Sequence, residues 1–167
     1  MLKPLYTLFI FLILLSGCKS SKRTTVITKK KDAPKTSVSA LTADKVIDNA
    51  LDYNGVRYKF GGTTRKGMDC SGLIYVSFKK EDVLLPRISR DMAKKGSDVR
   101  LNKVEKGDLL FFKTSKTRNV INHVGLVTSA KKGNIEFIHA TTSKGVITSS
   151  LSERYWNAAF VKAKRIL

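Results

Sequence analysis

Asp69-Cys70-Ser71-Gly72, followed directly by Leu73-Ile74-Tyr75-Val76, is the stretch that decides the reading of this 167-residue chain. It sets a cysteine between turn-forming residues and an apolar run, the layout of a thiol at the start of a buried helix. The chain has one other cysteine, Cys18, and two histidines, His123 and His139. A lone cysteine with histidines elsewhere is the pattern of a thiol nucleophile and its base. The blander alternative is a small buried apolar residue. At the first helical turn Cys70 meets unpaired N–H groups and the positive end of the helix dipole, and both favour thiolate.

The sequence around this motif divides into helices and then strands. Thr42 is positioned to cap a helix running to about Tyr53, with Val46, Ile47, Ala50 and Leu51 as its buried stripe and Asn54-Gly55 as its stop. Val56 to Phe60 is a short extended piece leading to Gly61-Gly62. The second helix starts at Asp69 or Cys70 and ends near Lys80. Ser89 caps a short third helix through Ala93, closed by Gly96. Beyond it, Leu109 to Lys113 is an apolar strand. His123 to Ser129 and Ile135 to Thr141 form a hairpin across Lys131-Lys132-Gly133-Asn134. Val146 to Ser149 is a short strand, Glu153 to Trp156 a turn, and Ala159 to Ile166 a last strand. Helices first and strands after predict an α+β fold, with helices packed on an antiparallel sheet.

Strand parity orients the histidines. His139 shares a face with Ile135 and Phe137, which points it toward the core, and His123 shares one with Gly125 and Val127. Pairing of the two strands places the imidazoles side by side, one as base and the other orienting it.

Residues 1–18 read as an export signal. Lys3 gives a positive start, and the apolar run Leu5 to Leu15 is too short to span a bilayer, which takes about 20 residues. It ends in Leu15-Ser16-Gly17-Cys18, which resembles the bacterial lipobox. That resemblance implies cleavage before Cys18, lipidation of Cys18, and anchoring by several acyl chains, where one alone is marginal. Lys19 at the next position implies transfer to the outer membrane, facing the periplasm. Residues 19–40 carry seven basic residues and one acid with little apolar content, the composition of a disordered tether. Its rms reach is about 25 Å. Residues 41–167 form the single remaining domain.

Charge bounds the partners. Lys and Arg number 32 against 13 Asp and Glu, a net +19. Such an excess calls for an anionic neighbour. Export argues against nucleic acid and for the anionic wall and membrane. No Cys/His cluster has zinc-ligand spacing and no glycine loop of the phosphate-cradling type occurs, so neither metal nor cofactor is expected.

The assembled motifs resemble the NlpC/P60 cysteine peptidases, a papain-like superfamily acting on bacterial wall peptides. They are Tyr58-Lys59-Phe60-Gly61-Gly62, Asp69-Cys70-Ser71-Gly72-Leu73, Leu85-Pro86-Arg87, Lys106 to Phe112, His123-Val124-Gly125 and His139-Ala140. They fall in the family's order across nearly all of 41–167. The resemblance implies Cys70 as nucleophile, His123 as base, and His139 as the residue that orients it. It implies Tyr58 beside the nucleophile, binding substrate or supporting the oxyanion, and Asp69 and Ser71 holding the free amine of a stem peptide. Arg87 is a candidate for a substrate carboxylate. The implied protein is a monomeric endopeptidase of peptidoglycan peptides, cutting the D-glutamyl or the D-alanyl bond to the diamino acid. The alternatives are a wall-binding lipoprotein without activity and a related thiol amidase.

Overall fold

The computed structural model describes residues 35–115, 117–131 and 133–167, all within one compact unit, Asp32–Leu167. The expected leader, Cys18 and most of the tether lie outside the described residues.

Helix α1 covers Lys35–Leu51. It begins seven residues before the expected cap, so Thr42 lies inside it and residues 35–40, assigned to the tether, are helical. Val46, Ile47 and Ala50 are buried as the spacing predicts, but Leu51 is exposed and not part of the stripe. A small antiparallel pair follows, β1 (Thr63–Thr64) and β2 (Gly67–Met68), and Tyr58 bridges to Met68 beside it. Helix α2 is Cys70–Lys79, close to the expected bounds. Helix α3 is a single turn, Ser89–Met92. Its cap position is Ile88, and Ser89, the expected cap, is the first helical residue.

The sheet has six strands in the order β3-β8-β4-β5-β6-β7, with every pairing antiparallel. They are β3 (Ser97–Val99), β4 (Leu109–Phe112), β5 (His123–Lys131), β6 (Asn134–Thr141), β7 (Gly145–Ser150) and β8 (Phe160–Arg165). The fold is α+β, as expected. The residues expected as a turn at 153–156 instead lead into helix α4, Arg154–Ala159. The edge strand β3 has no apolar alternation that would signal it, and only its ladder to β8 defines it.

Both faces of the sheet are covered. On one, Leu109, Phe111, Val124, Leu126, Ile138 and Ala140 pack with residues of α1, α2 and α3. On the other, Leu110, Phe112, Val127, Ile135 and Phe137 pack with Val104, Leu151 and Trp156. The second core explains why β4 reads as four consecutive apolar residues, all fully buried. Gly125 permits this packing: a Cβ there would run into the Phe137 ring.

The turn before β4 is held by a buried acid. Asp108, 1 % exposed at its side chain, takes two bonds from Arg165 of β8, Nε to Oδ1 at 2.8 Å and Nη2 to Oδ2 at 2.9 Å. It also accepts from the Glu105 N–H at 2.9 Å. Removing the carboxylate leaves Arg165 Nε and the Glu105 N–H without their acceptor, although Arg165 keeps the Lys103 carbonyl and Glu105. Asp108→Ala is therefore expected to lower the unfolding free energy by about 2–3 kcal/mol, measured by urea denaturation; a loss under about 0.5 kcal/mol, within the usual range of neutral surface changes, would contradict it.

Candidate active site

Asp69 is the N-cap of α2, with extended backbone at φ −96° and ψ 175°. Its Oδ1 accepts from the Gly72 N–H at 2.6 Å, satisfying one of the helix's open donors. Its Oδ2 accepts from the Gly61 N–H at 2.8 Å. Arg87 closes on the same carboxylate, Nη1 to Oδ1 at 3.0 Å and Nη2 to Oδ2 at 3.1 Å. The same guanidinium donates to Ser71 Oγ at 2.9 Å and to the Gly62 carbonyl at 3.2 Å. Gly72 has to be glycine here, because a Cβ would collide with the Gly62 carbonyl oxygen. The network ties the Gly61-Gly62 loop to the first turn of α2 and so fixes Cys70, the first helical residue.

Cys70 is a free, buried thiol. It shares a cleft of about 420 Å³ with Tyr58, Asn122, His123, Ser149 and Trp156. His123 is the first residue of β5, and by alternation its side chain lies on the sheet face away from α2. It shares the cleft with the thiol, because the cleft opens at the end of that strand. His123 Nε2 and His139 Nδ1 are 2.9 Å apart, and His139 Nε2 lies 3.1 Å from Ser149 Oγ. Among the described residues, His123 Nδ1 has no hydrogen-bond partner and is the ring nitrogen left for the thiol. Trp156 stacks on His123, with ring centroids 5.1 Å apart and planes at 21°, and meets His139 edge-on at 4.5 Å. Phe112 and Phe137 close the rest of this aromatic box.

The cleft thus joins Tyr58, Cys70 and His123, with His139 directly behind. Asp69, Ser71 and Arg87 do not line it. The Arg87 fork, expected to take a substrate carboxylate, is engaged by the Asp69 carboxylate. Asp69 and Ser71 are engaged with Arg87 and with the start of α2. Sequence reading missed Ser149 and Trp156. The parity of β7 against β6 was a signal for the first; for the second, only an aromatic within a supposed turn. A larger hollow, about 620 Å³, lies between α1 and the Glu105–Asp108 turn and holds no thiol or imidazole.

Burial dominates the titration of the pair. It pushes the Cys70 thiol up to about 11, with the Asp69 charge adding to it, against the backbone N–H groups of Val124, Ser71 and Cys70 that favour thiolate. Burial thus opposes the thiolate that the start of the helix favours. Burial also brings His123 down to about 4, and burial together with the charge of His123 brings His139 down to about 3. Tyr58 is raised, first by burial and then by Cys70 and Asp69, so its hydroxyl remains a donor. Burial thus favours the neutral form of the thiol and of both imidazoles.

A buried thiol sharing a cleft with paired imidazoles, on an α+β sheet of this topology, narrows the class, and comparison supplies its name. The NlpC/P60 family matches residues 55–165. The chain is 36 % identical to the probable endopeptidase NlpC of Escherichia coli strain K12, over 92 % of its own length and 94 % of that protein's. It is 39 % identical to the murein DD-endopeptidase MepS/murein LD-carboxypeptidase of the same strain, over 74 % of this chain and 62 % of that one. The chain therefore spans about three fifths of the MepS relative's length. Among solved structures, an NLP/P60 family protein similar to lipoprotein from Staphylococcus aureus superposes with a TM-score of 0.66 at 31 % identity, covering 76 % of this chain and 42 % of that one. An NlpC/P60 family protein from Bacillus cereus gives 0.68 at 26 % identity, covering 75 % and 40 %. This chain belongs to the NlpC/P60 family.

The direction of the Cys70 shift predicts its reactivity. A thiol titrating above neutrality has a thiolate fraction that grows about tenfold per pH unit below its pKa. Alkylation of Cys70 by iodoacetamide is expected to accelerate steadily from pH 6 to 9; a rate constant flat across that range would show a preformed thiolate–imidazolium pair instead.

Proposed function

We propose that this chain is a cysteine endopeptidase of peptidoglycan peptides. The observation that carries the reading is the shared cleft: a buried free thiol at a helix start, beside an imidazole whose far nitrogen is tied to a second imidazole. The relatives' names support the substrate class: murein for the MepS protein, and endopeptidase for the one matched nearly end to end. A Bacillus subtilis relative, 32 % identical over 82 % of this chain and 45 % of its own, is a gamma-D-glutamyl-L-lysine dipeptidyl-peptidase. These names bracket the two candidate bonds, the D-alanyl crosslink and the γ-D-glutamyl link.

The chemistry follows from the neutral pair. Substrate binding brings a peptide carbonyl to Cys70 Sγ. As the S–C bond forms, the thiol proton passes to His123 Nδ1, so thiolate arises only when it is consumed. The new imidazolium donates through Nε2–H to His139 Nδ1. The open N–H groups at the start of α2 and the Tyr58 hydroxyl are the donors for the oxyanion. The C–N bond breaks as His123 returns its proton to the leaving amine. Water then attacks the thioester, giving its proton to His123, and the thiol and a carboxylic acid are released. Asp69, Ser71 and Arg87 hold the nucleophile's helix in place; with Asp69 already paired, recognition of a free amine end is a secondary role for them.

Leu15-Ser16-Gly17-Cys18 supports the rest of the reading: a monomer anchored by lipid at Cys18 to the outer membrane, its domain on the basic tether facing the periplasmic wall.

Incubation of the protein with defined muropeptides, read by mass spectrometry, tests the activity and names the bond. Wild type is expected to cut one stem-peptide or crosslink bond and Cys70→Ala to lose at least about 10³-fold of that rate; equal cleavage by both would refute the thiol mechanism. Radiolabelled palmitate is expected to enter the wild-type chain expressed in bacteria and not Cys18→Ser. Label in both would place the acylation elsewhere.

A further inference from the structure

We infer that Ser149 is a positioning residue for the imidazole pair, supplying the acceptor required by the tautomeric direction in which His123 can accept the thiol proton. The inference rests on the reading of Cys70 and His123 as nucleophile and base. Its physical content is a chain of two hydrogen bonds joined through one ring: His123 Nε2 to His139 Nδ1, 2.9 Å, and His139 Nε2 to Ser149 Oγ, 3.1 Å.

A neutral imidazole carries one proton, so the two bonds are not independent. For His123 Nδ1 to accept from Cys70, its proton has to reside on Nε2 and point at His139. His139 Nδ1 is then the acceptor, and its own proton has to sit on Nε2. That proton needs an acceptor at the end of the chain. Ser149 Oγ is in position, on β7 where Ser149 pairs with Phe137 of β6. The reverse arrangement, with His139 donating from Nδ1, puts a proton on His123 Nδ1 and disables it as a base.

The surroundings leave few substitutes for the hydroxyl. His139 is fully buried, and Trp156 and Phe137 rings lie against it at 4.5 and 4.7 Å. Ser149 is itself 8 % exposed, and its Oγ makes no other side-chain hydrogen bond among the described residues. It lines the cleft, so its own O–H can turn to solvent or substrate while a lone pair faces His139. Without Oγ, the forward direction leaves a buried N–H with no acceptor, whereas the reverse leaves only a vacant lone pair. Orphaned buried N–H groups are the rarer case in proteins. The bias matters most once His123 has taken the proton, because an imidazolium can only donate to His139, and the forward direction is then compulsory.

The test uses three variants of the full chain, Ser149→Ala, Ser149→Thr and Ser149→Val. Thr and Val match in shape and differ by the hydroxyl, so a packing effect strikes both alike. Imidazole ¹⁵N shifts and long-range ¹H–¹⁵N couplings report the tautomers of His123 and His139. They are recorded in a Cys70→Ala background, which makes them independent of turnover. Wild type and Thr are expected to show the proton on Nε2 of both rings, and Ala and Val a shift of both toward Nδ1. With muropeptides and Cys70 present, Ala and Val are expected to lose about 10–100-fold in kcat, with KM changed less than about threefold and Thr close to wild type. Unchanged tautomers in Val, or equal kcat for Thr and Val, would overturn the role of Ser149. Absence of turnover in every form, wild type included, would refute the peptidase reading, and the tautomers would still decide the positioning one.

Discussion

The carboxylate of Asp69 is the contact on which the geometry of the site depends. One oxygen takes the Gly72 N–H, Ser71 Oγ and Arg87 Nη1, and the other the Gly61 N–H and Arg87 Nη2. It is at once helix cap, loop tie and ion-pair partner. Charge-assisted bonds of this kind are about twice as strong as neutral ones, and the bidentate arginine adds direction. Without it, the Gly61 N–H loses its acceptor and the first turn of α2 its cap. The thiol would then be free to wander from an imidazole that is itself fixed.

That imidazole is fixed by a different device. Its neighbours are Trp156, Phe112, Phe137 and His139, rings that exclude water and hold the histidines neutral. Burial of polar groups on this scale is costly unless they are paired. Among the described residues no fully buried side-chain nitrogen or oxygen lacks a hydrogen-bond partner, and the unpaired His123 Nδ1 opens on the cleft. The same exclusion of water that keeps the resting thiol protonated strengthens the hydrogen bonds aimed at the charges of reaction.

Much of this was legible in the sequence. The Asp69 to Gly72 motif, the apolar run after it and the alternation in 135–141 mark a thiol at a helix start, the buried helix and the inward histidine, because local chemistry decides each. What escaped was decided by partners distant in sequence. The start of α1 is Lys35-Thr36-Ser37, polar residues with no stripe to announce a helix. The second core was hidden because Trp156 meets the histidines only when β8 has returned past β4. The Arg87–Asp69 pair joins residues 18 apart, and either alone reads as a ligand for something outside the protein.

The sheet keeps two cores apart, and the Cys70 thiol and the His123 imidazole belong to different ones. Cys70 is backed by the helical layer, with Leu73, Ile74 and Val124; His123 by the aromatic layer under α4. The spacing between them is gauged by β4 and β5, as by the arms of a calliper. An engineer could therefore resculpt the helical side, re-aiming the thiol toward a new scissile bond, while the proton-handling half on the other side keeps its setting.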